Sequence, residues 1–162
     1  MRRLGFVGVG AMGRGICENL IRKSGCPMAV YDISEENLKY FSGRADLAKS
    51  ASEIFRNSDV TFLSLPDSDV VKEVTNEFFN EEVDGKTVID LSTSFPLATK
   101  ELYRHFKAEG GAFIDAPLMG GPADVAAGNA PCMVAGDKEE VDKVMDLLAC
   151  FANPIEYAGE SG

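Results

Sequence analysis

The sequence predicts an α/β fold: a doubly wound, mostly parallel β-sheet with helices on both faces. Three observations carry that prediction. Short apolar runs alternate with amphipathic stretches along the whole chain, the pattern that βαβ crossovers produce. The run Val60–Leu65 is almost continuously apolar, as a strand covered on both faces must be. A glycine-rich turn, Gly8 to Gly13, joins the first apolar run to the first helical stripe. With 162 residues, 45% hydrophobic and 26% charged, the composition is that of one globular domain. A chain of this size buries roughly 68–70% of its unfolded surface and needs neither disulfide nor metal to fold.

The elements follow in order. Leu4 to Val9 reads as a strand ending in glycines. Met12, Ile16 and Leu20, with Cys17 and Ile21 beside them, form a helical stripe, which Gly25 stops. Met28–Tyr31 is the next strand, and a helix starts near Ser34, with Glu35 and Lys39 paired one turn apart. After Val60–Leu65, the residues Val70, Val71, Val74 and Phe78 make another stripe. Thr87–Leu91 is a strand, and Pro96 opens a helix carrying Ala98, Leu102 and Phe106. Ala112–Asp115 and Cys132–Ala135 are strands. Val141, Val144, Met145 and Leu148 define a last helix, and Ile155–Tyr157 a short final strand. Met133 and Met145 read as core. The tail Gly159–Gly162 shows no packing signal of its own.

Charge and cysteine usage narrow the function. There are 16 Lys+Arg against 26 Asp+Glu, a net charge of −10. Such a field repels a phosphate backbone, so no nucleic-acid partner is expected. No apolar run approaches the length of a membrane span, and no secretory leader is expected. The four cysteines, Cys17, Cys26, Cys132 and Cys150, are scattered, contain no C-x-x-C and have only His105 as a histidine. Zinc spacing is absent, and free buried thiols in a reducing, cytoplasmic setting are expected. His105, between Arg104 and Lys107, reads as a surface residue. The acidic run 80–84 reads as a solvated loop.

Gly8-Val9-Gly10-Ala11-Met12-Gly13 is a G-x-G-x-x-G that follows a strand and opens a helix, the context a dinucleotide fingerprint requires. Gly8 permits the tight turn, Gly10 lets backbone approach a pyrophosphate, and Gly13 lets helix and strand pack closely. Unpaired N–H groups at the helix start then face the anion. Arg14 adds a charge there or is solvated. Asp32 ends the second strand about 20 residues beyond Gly13, where a carboxylate accepts from both adenosine ribose hydroxyls. A 2′-phosphate is repelled at that position, and Ile33-Ser34-Glu35 supplies no arginine to receive one. NAD is therefore expected in preference to NADP. FAD and S-adenosylmethionine sites share parts of this pattern.

Three later motifs lie where strands end: Ser64-Leu65-Pro66-Asp67, Asp90-Leu91-Ser92-Thr93-Ser94-Phe95-Pro96 and Asp115-Ala116-Pro117-Leu118-Met119-Gly120-Gly121. The first two are equally compatible with turn and helix-cap chemistry. The glycine pair can expose N–H groups to a carboxylate or simply form a flexible loop. With the glycine fingerprint, these four ordered motifs resemble the β-hydroxyacid dehydrogenase family over essentially the whole chain. That family includes 3-hydroxyisobutyrate dehydrogenases, tartronate semialdehyde and glyoxylate reductases, and the cofactor domain of 6-phosphogluconate dehydrogenase.

The resemblance implies a Rossmann-like NAD-binding domain over residues 1–162. Gly8, Val9, Gly10, Ala11, Met12 and Gly13 would lie along the pyrophosphate, and Asp32 on the ribose. Leu65 and Pro66 would line the cofactor pocket, and Thr93 would approach the nicotinamide. Met119, Gly120 and Gly121 would face a small hydroxy-acid substrate. The family's general acid–base lysine comes from a helix beyond this domain. No lysine here matches it, so a C-terminal helical domain beyond Gly162, which also builds homo-oligomers in the family, is expected to supply it. Two departures stand out: Met119 replaces the family's serine, and Asp124-Val125 replaces its glycine–alanine. The expected activity is hydride transfer between NAD(H) and a small 3-hydroxy acid or its aldehyde or keto partner. The alternatives are a non-catalytic NAD-binding interaction module and an imine reductase-like enzyme.

Overall fold

In the computed structural model, which describes residues 1–162, β1 (Leu4–Val7) is buried at every position. It stops at Gly8, whose φ of +91° turns the chain out of the sheet. A Cβ there would lie 2.2 Å from the Ser64 carbonyl oxygen, so only glycine fits. The first half continues with α1 (Ala11–Lys23), β2 (Met28–Tyr31), α2 (Glu35–Tyr40), β3 (Asp46–Leu47), α3 (Ala51–Asn57), β4 (Val60–Leu63) and α4 (Ser68–Phe78). The second half is β5 (Thr87–Asp90), α5 (Pro96–Ala108), β6 (Ala112–Asp115), α6 (Pro122–Ala127), β7 (Ala130–Ala135), α7 (Lys138–Leu148) and β8 (Ala152–Gly159).

One eight-stranded sheet results, ordered β3-β2-β1-β4-β5-β6-β7-β8. Every neighbouring pair is parallel except β6 and β7. The chain winds outward from β1 in one direction and from β4 in the other. The crevice between these two strands, at their carboxyl ends, is the topological switch point where open α/β sheets take ligands.

Side chains alternate across the sheet as the period of two demands. Phe6, Phe62, Ile89 and Ile114 join the core under α1 and α7, with Ile16, Leu20, Val141 and Leu148. Val7, Leu63, Val88 and Phe113 join the opposite core under α3, α4 and α5. There the Phe55 and Phe78 rings stack 4.4 Å apart, and Phe106 packs on Phe113 at 5.5 Å. Truncating any of these fully buried rings costs about 3–5 kcal/mol.

The doubly wound, mostly parallel sheet is as the sequence predicts, with several local differences. β4 ends at Leu63, so Ser64 and Leu65 belong to the turn. Three elements escaped the periodicity argument: β3, only two exposed residues long; α3; and α6. α3 carries a legible start, since the Ser50 hydroxyl accepts from the Glu53 N–H at 3.0 Å, the S-x-x-E pattern of a cap. α6 likewise begins with Pro122 and ends at Gly128 in the left-handed region, the expected asymmetry of helix ends. Met133 is not core: it is 48% exposed, on the outward face of β7. The tail does pack. Ser161 is buried, its hydroxyl 3.1 and 3.0 Å from the carbonyls of Phe113 and Ala135. The four cysteines are free, and Cys17, Cys132 and Cys150 are buried.

Candidate functional site

The helix starts of this chain are not alike. Ser34, Ser50 and Asp67 cap α2, α3 and α4 through their side chains, and each of those helices has an acidic residue in its first turn. α1 has neither: its cap is Gly10, and no acid lies in its first turn. The N–H groups of Gly10, Ala11, Met12 and Gly13 meet no acceptor in the chain. Orphan donors at the positive end of a thirteen-residue helix form an anion site.

The three glycines of the turn differ in what requires them. Gly8 and Gly13 are dictated by the fold, because a Cβ on Gly13 would sit 1.9 Å from the Gly8 carbonyl oxygen. Around Gly10 nothing in the protein lies within 4 Å of a Cβ. Its missing side chain leaves room outside the protein, as close approach of a pyrophosphate requires. Val9 contributes from behind: its side chain is buried in the core, and its N–H donates to Asp32 Oδ2 at 2.8 Å. Met12 packs partly against the same core, and Ala11 is exposed. Arg14 does not reach outward as a free charge. Its guanidinium stacks 4.1 Å from the Tyr40 ring.

Asp32 stands beside the turn with both carboxylate oxygens already engaged, Oδ2 by Val9 and Oδ1 by the Ser34 N–H at 2.8 Å. Each oxygen keeps a second lone-pair direction for a ligand hydroxyl. Ile33, next in the chain, is 93% exposed. A cleft of about 290 Å³ opens here, between Gly8, Gly10, Tyr31, Asp32 and Ile33 on one side and Leu65, Pro66, Val70 and Val74 on the other. Val70 and Val74, which the sequence pattern reads only as helix stripe, thus form a cleft wall. An anion cradle, a hydroxyl-accepting carboxylate and an apolar slot together match the pyrophosphate, ribose and base of a dinucleotide.

The next two motifs are joined physically. The Leu65 N–H donates to Ser92 Oγ at 2.9 Å, tying the Leu65-Pro66 turn to the turn after β5. Thr93 is exposed there and does not line the cleft. Below it, buried Asp90 accepts from the Ser92 N–H and the Ser94 hydroxyl; burial pushes its carboxyl up against the pull of those bonds. Asp115 lies in register with Asp90 across β5 and β6. Burial, then the Asp90 charge, push the Asp115 carboxyl up to about 6.

The glycine pair after β6 differs from expectation. α6 lies alongside α1 in the same direction: Ala126 meets Gly15, Asn19 Nδ2 donates to the Val125 and Ala126 carbonyls, and Gly128 reaches Lys23. The loop before α6 is therefore brought level with the start of α1. Within it the Gly121 N–H is not open to a ligand, because Asp124 Oδ2 accepts it at 2.8 Å. The Gly120 N–H has no partner. Gly120 has φ +108°, a backbone conformation that favours glycine, and Asp124 Oδ2 lies 2.7 Å from where a Cβ would stand. Met119 is anchored by its N–H to the Pro131 carbonyl, and its side chain is 53% exposed.

Comparison with known proteins agrees with this geometry. Residues 3–159 match the family described as the NAD binding domain of 6-phosphogluconate dehydrogenase. The chain is 32% identical to the mitochondrial 3-hydroxyisobutyrate dehydrogenase of Mus musculus, over 98% of this chain and 48% of that protein. It is 31% identical to the 2-hydroxy-3-oxopropionate reductase of Escherichia coli K12, over 99% of this chain and 56% of that one. It thus spans about half the length of the curated relatives it matches. A solved 3-hydroxyisobutyrate dehydrogenase from Mycobacterium tuberculosis superposes with TM-score 0.90 at 24% identity, over 99% of this chain and 55% of that one. An imine reductase variant from Myxococcus stipitatus superposes equally well, TM-score 0.90, at 20% identity over 99% and 55%. These two likenesses concern the fold alone. With glycine turn, orphan helix start, Asp32 and sheet order all in place, the chain belongs to the family of NAD binding domains of 6-phosphogluconate dehydrogenase.

Proposed function

We propose that this chain is the cofactor half of an oxidoreductase that prefers NAD to NADP. Its reaction is hydride transfer between NAD(H) and a small 3-hydroxy acid or the matching aldehyde or keto compound. The observation that carries the cofactor preference is Asp32, a carboxylate at the cleft with an exposed Ile33 beside it and no arginine to receive a 2′-phosphate. Asp32 accepts from the ribose hydroxyls, the N–H groups of residues 10–13 hold the pyrophosphate, and Leu65 and Pro66 cover the apolar end. The bound nicotinamide supplies the hydride acceptor or donor. Thr93 and the Gly120 turn are the residues of this chain assigned to the reacting end.

The substrate reading rests on the family resemblance and on relatives named for hydroxy-acid and oxo-acid chemistry. The proton-transfer lysine is assigned to a helix following Gly162, in a domain that also forms the homo-oligomer. Calorimetric titration of NAD and NADP tests the cofactor assignment. NAD is expected to bind at least about tenfold more tightly, the worth of one charge contact. Equal or tighter NADP binding overturns it.

A further inference from the structure

The turn after β5 has no backbone frame of its own. None of the N–H groups of residues 92–95 meets a backbone acceptor, and side chains hold the turn instead. Asp90, fully buried at the end of β5, accepts the Ser92 N–H at 2.9 Å and the Ser94 hydroxyl at 3.0 Å. Ser68, buried at the start of α4, accepts the Phe95 N–H at 2.7 Å. In the opposite sense, Ser92 Oγ accepts the Leu65 N–H. Two bonds of opposite direction thus fasten this turn to the segment from Leu65 to Ser68 that walls the cleft. The N–H groups of Thr93 and Ser94 find no acceptor in the chain, and Thr93 is exposed. A buried carboxylate costs far more than a neutral cap, yet the side chain of Asp90 bonds only to this turn.

We propose that Asp90 is a positioning residue for the nicotinamide half of the cofactor. It holds the 92–95 turn so that the open donors of Thr93 and Ser94 meet that half, while Ser92 and Ser68 fix the turn against the Leu65-Pro66 wall. Asp90 acts through the turn and touches neither cofactor nor substrate. The wall itself has separate supports: the Ser64 N–H bonds the Val7 carbonyl, and Asp67 caps α4. Loosening the turn therefore leaves the adenosine and pyrophosphate contacts in place. The inference rests on the reading that Thr93 lies at the nicotinamide end of bound NAD(H).

Calorimetric titration of the chain with NAD and with ADP-ribose, which keeps the adenosine and pyrophosphate but lacks the nicotinamide, reads this role. The parent is expected to bind NAD about fivefold more tightly than ADP-ribose, the worth of one or two hydrogen bonds. Asp90→Ala is expected to bring the two ligands within about twofold of each other by weakening NAD alone. A solely structural aspartate would weaken both alike. Asp90→Asn keeps both bonds, its oxygen accepting the Ser92 N–H and its amide donating to Ser94 Oγ. Its preference for NAD is expected to stay within about twofold of the parent's. Ser92→Ala combined with Ser94→Ala loosens the same turn with Asp90 in place. It is expected to match Asp90→Ala, and it carries the test if Asp90→Ala does not fold. Equal affinity of the parent for NAD and ADP-ribose, an unchanged NAD preference in Asp90→Ala or the double variant, or its loss in Asp90→Asn overturns the inference and leaves NAD binding standing. If neither ligand binds the parent, the cofactor reading falls, and the inference with it.

Discussion

Asp32 Oδ2 accepts the Val9 N–H at 2.8 Å, fastening the end of β2 to the middle of the glycine turn. The residue proposed to read the ribose is thus also a strut of the anion site. Its removal acts on the cradle as well as on the hydroxyl contact.

Asp32→Ala is therefore expected to do two things. NAD affinity falls about tenfold to hundredfold, the worth of a charge-assisted hydrogen bond of about 1.5–3 kcal/mol, and the gap to NADP narrows. Stability drops by about 1–3 kcal/mol, because the Val9 and Ser34 N–H groups lose their acceptor. Calorimetry and urea denaturation read the two effects separately. Loss of stability with an unchanged NAD/NADP ratio would leave Asp32 a strut only.

Gly10 and Gly13 are expected to separate binding from folding. Gly13→Ala forces a contact of 1.9 Å with the Gly8 carbonyl oxygen and should destabilise by several kcal/mol, about 3 or more. Gly10→Ala meets no protein atom within 4 Å, so its melting temperature should stay within a few degrees of the parent, a change of about 0.5 kcal/mol or less. Its NAD affinity should nonetheless fall by about tenfold or more, since the methyl occupies the pyrophosphate's approach. Parent-like NAD binding by Gly10→Ala would show that no phosphate comes close there.

Asp115 predicts the pH dependence of stability. Its folded carboxyl titrates at about 6, above the ordinary value of about 3.9, so the folded chain binds the proton more tightly than the unfolded one. The stabilisation is complete below about pH 4 and is lost as pH rises through about 6, on the order of 2–3 kcal/mol in all. Asp115→Asn should flatten that slope. The readout is the difference between parent and variant in urea midpoints across this range, which cancels the other carboxylates. Parallel profiles would mean that Asp115 is hydrated and ordinary.

The chain alone should bind NAD yet catalyse no turnover. No lysine or histidine lines the cleft, and general acid–base help is typically worth about 10²–10⁴-fold. Absorbance of reduced nicotinamide over a panel of 3-hydroxy acids and aldehydes is expected to stay at background. Robust turnover would place the proton-transfer group among these residues.

Contiguous residues carried much of this protein on their own. The glycine turn is six consecutive positions, and Asp32 lies at a fixed distance from it. β1 and β4 read as apolar runs because every position in them is buried between the two cores. Local periodicity reports the burial of one segment, which is why β1, β4, α1 and α4 were legible. It says nothing of β3, whose two residues are exposed, nor of Met133, whose apolar side chain faces outward. The tertiary structure alone decided which separate segments meet. Register between β5 and β6 set Asp90 beside Asp115, winding from the switch point tied Leu65 to Ser92, and packing of α6 on α1 brought the Gly120 turn level with the cofactor cradle. Asp124 illustrates the limit. Its departure from the family pattern is visible in one dimension, but its hold on the Gly121 N–H arises only when the helix forms and folds that carboxylate back onto the turn.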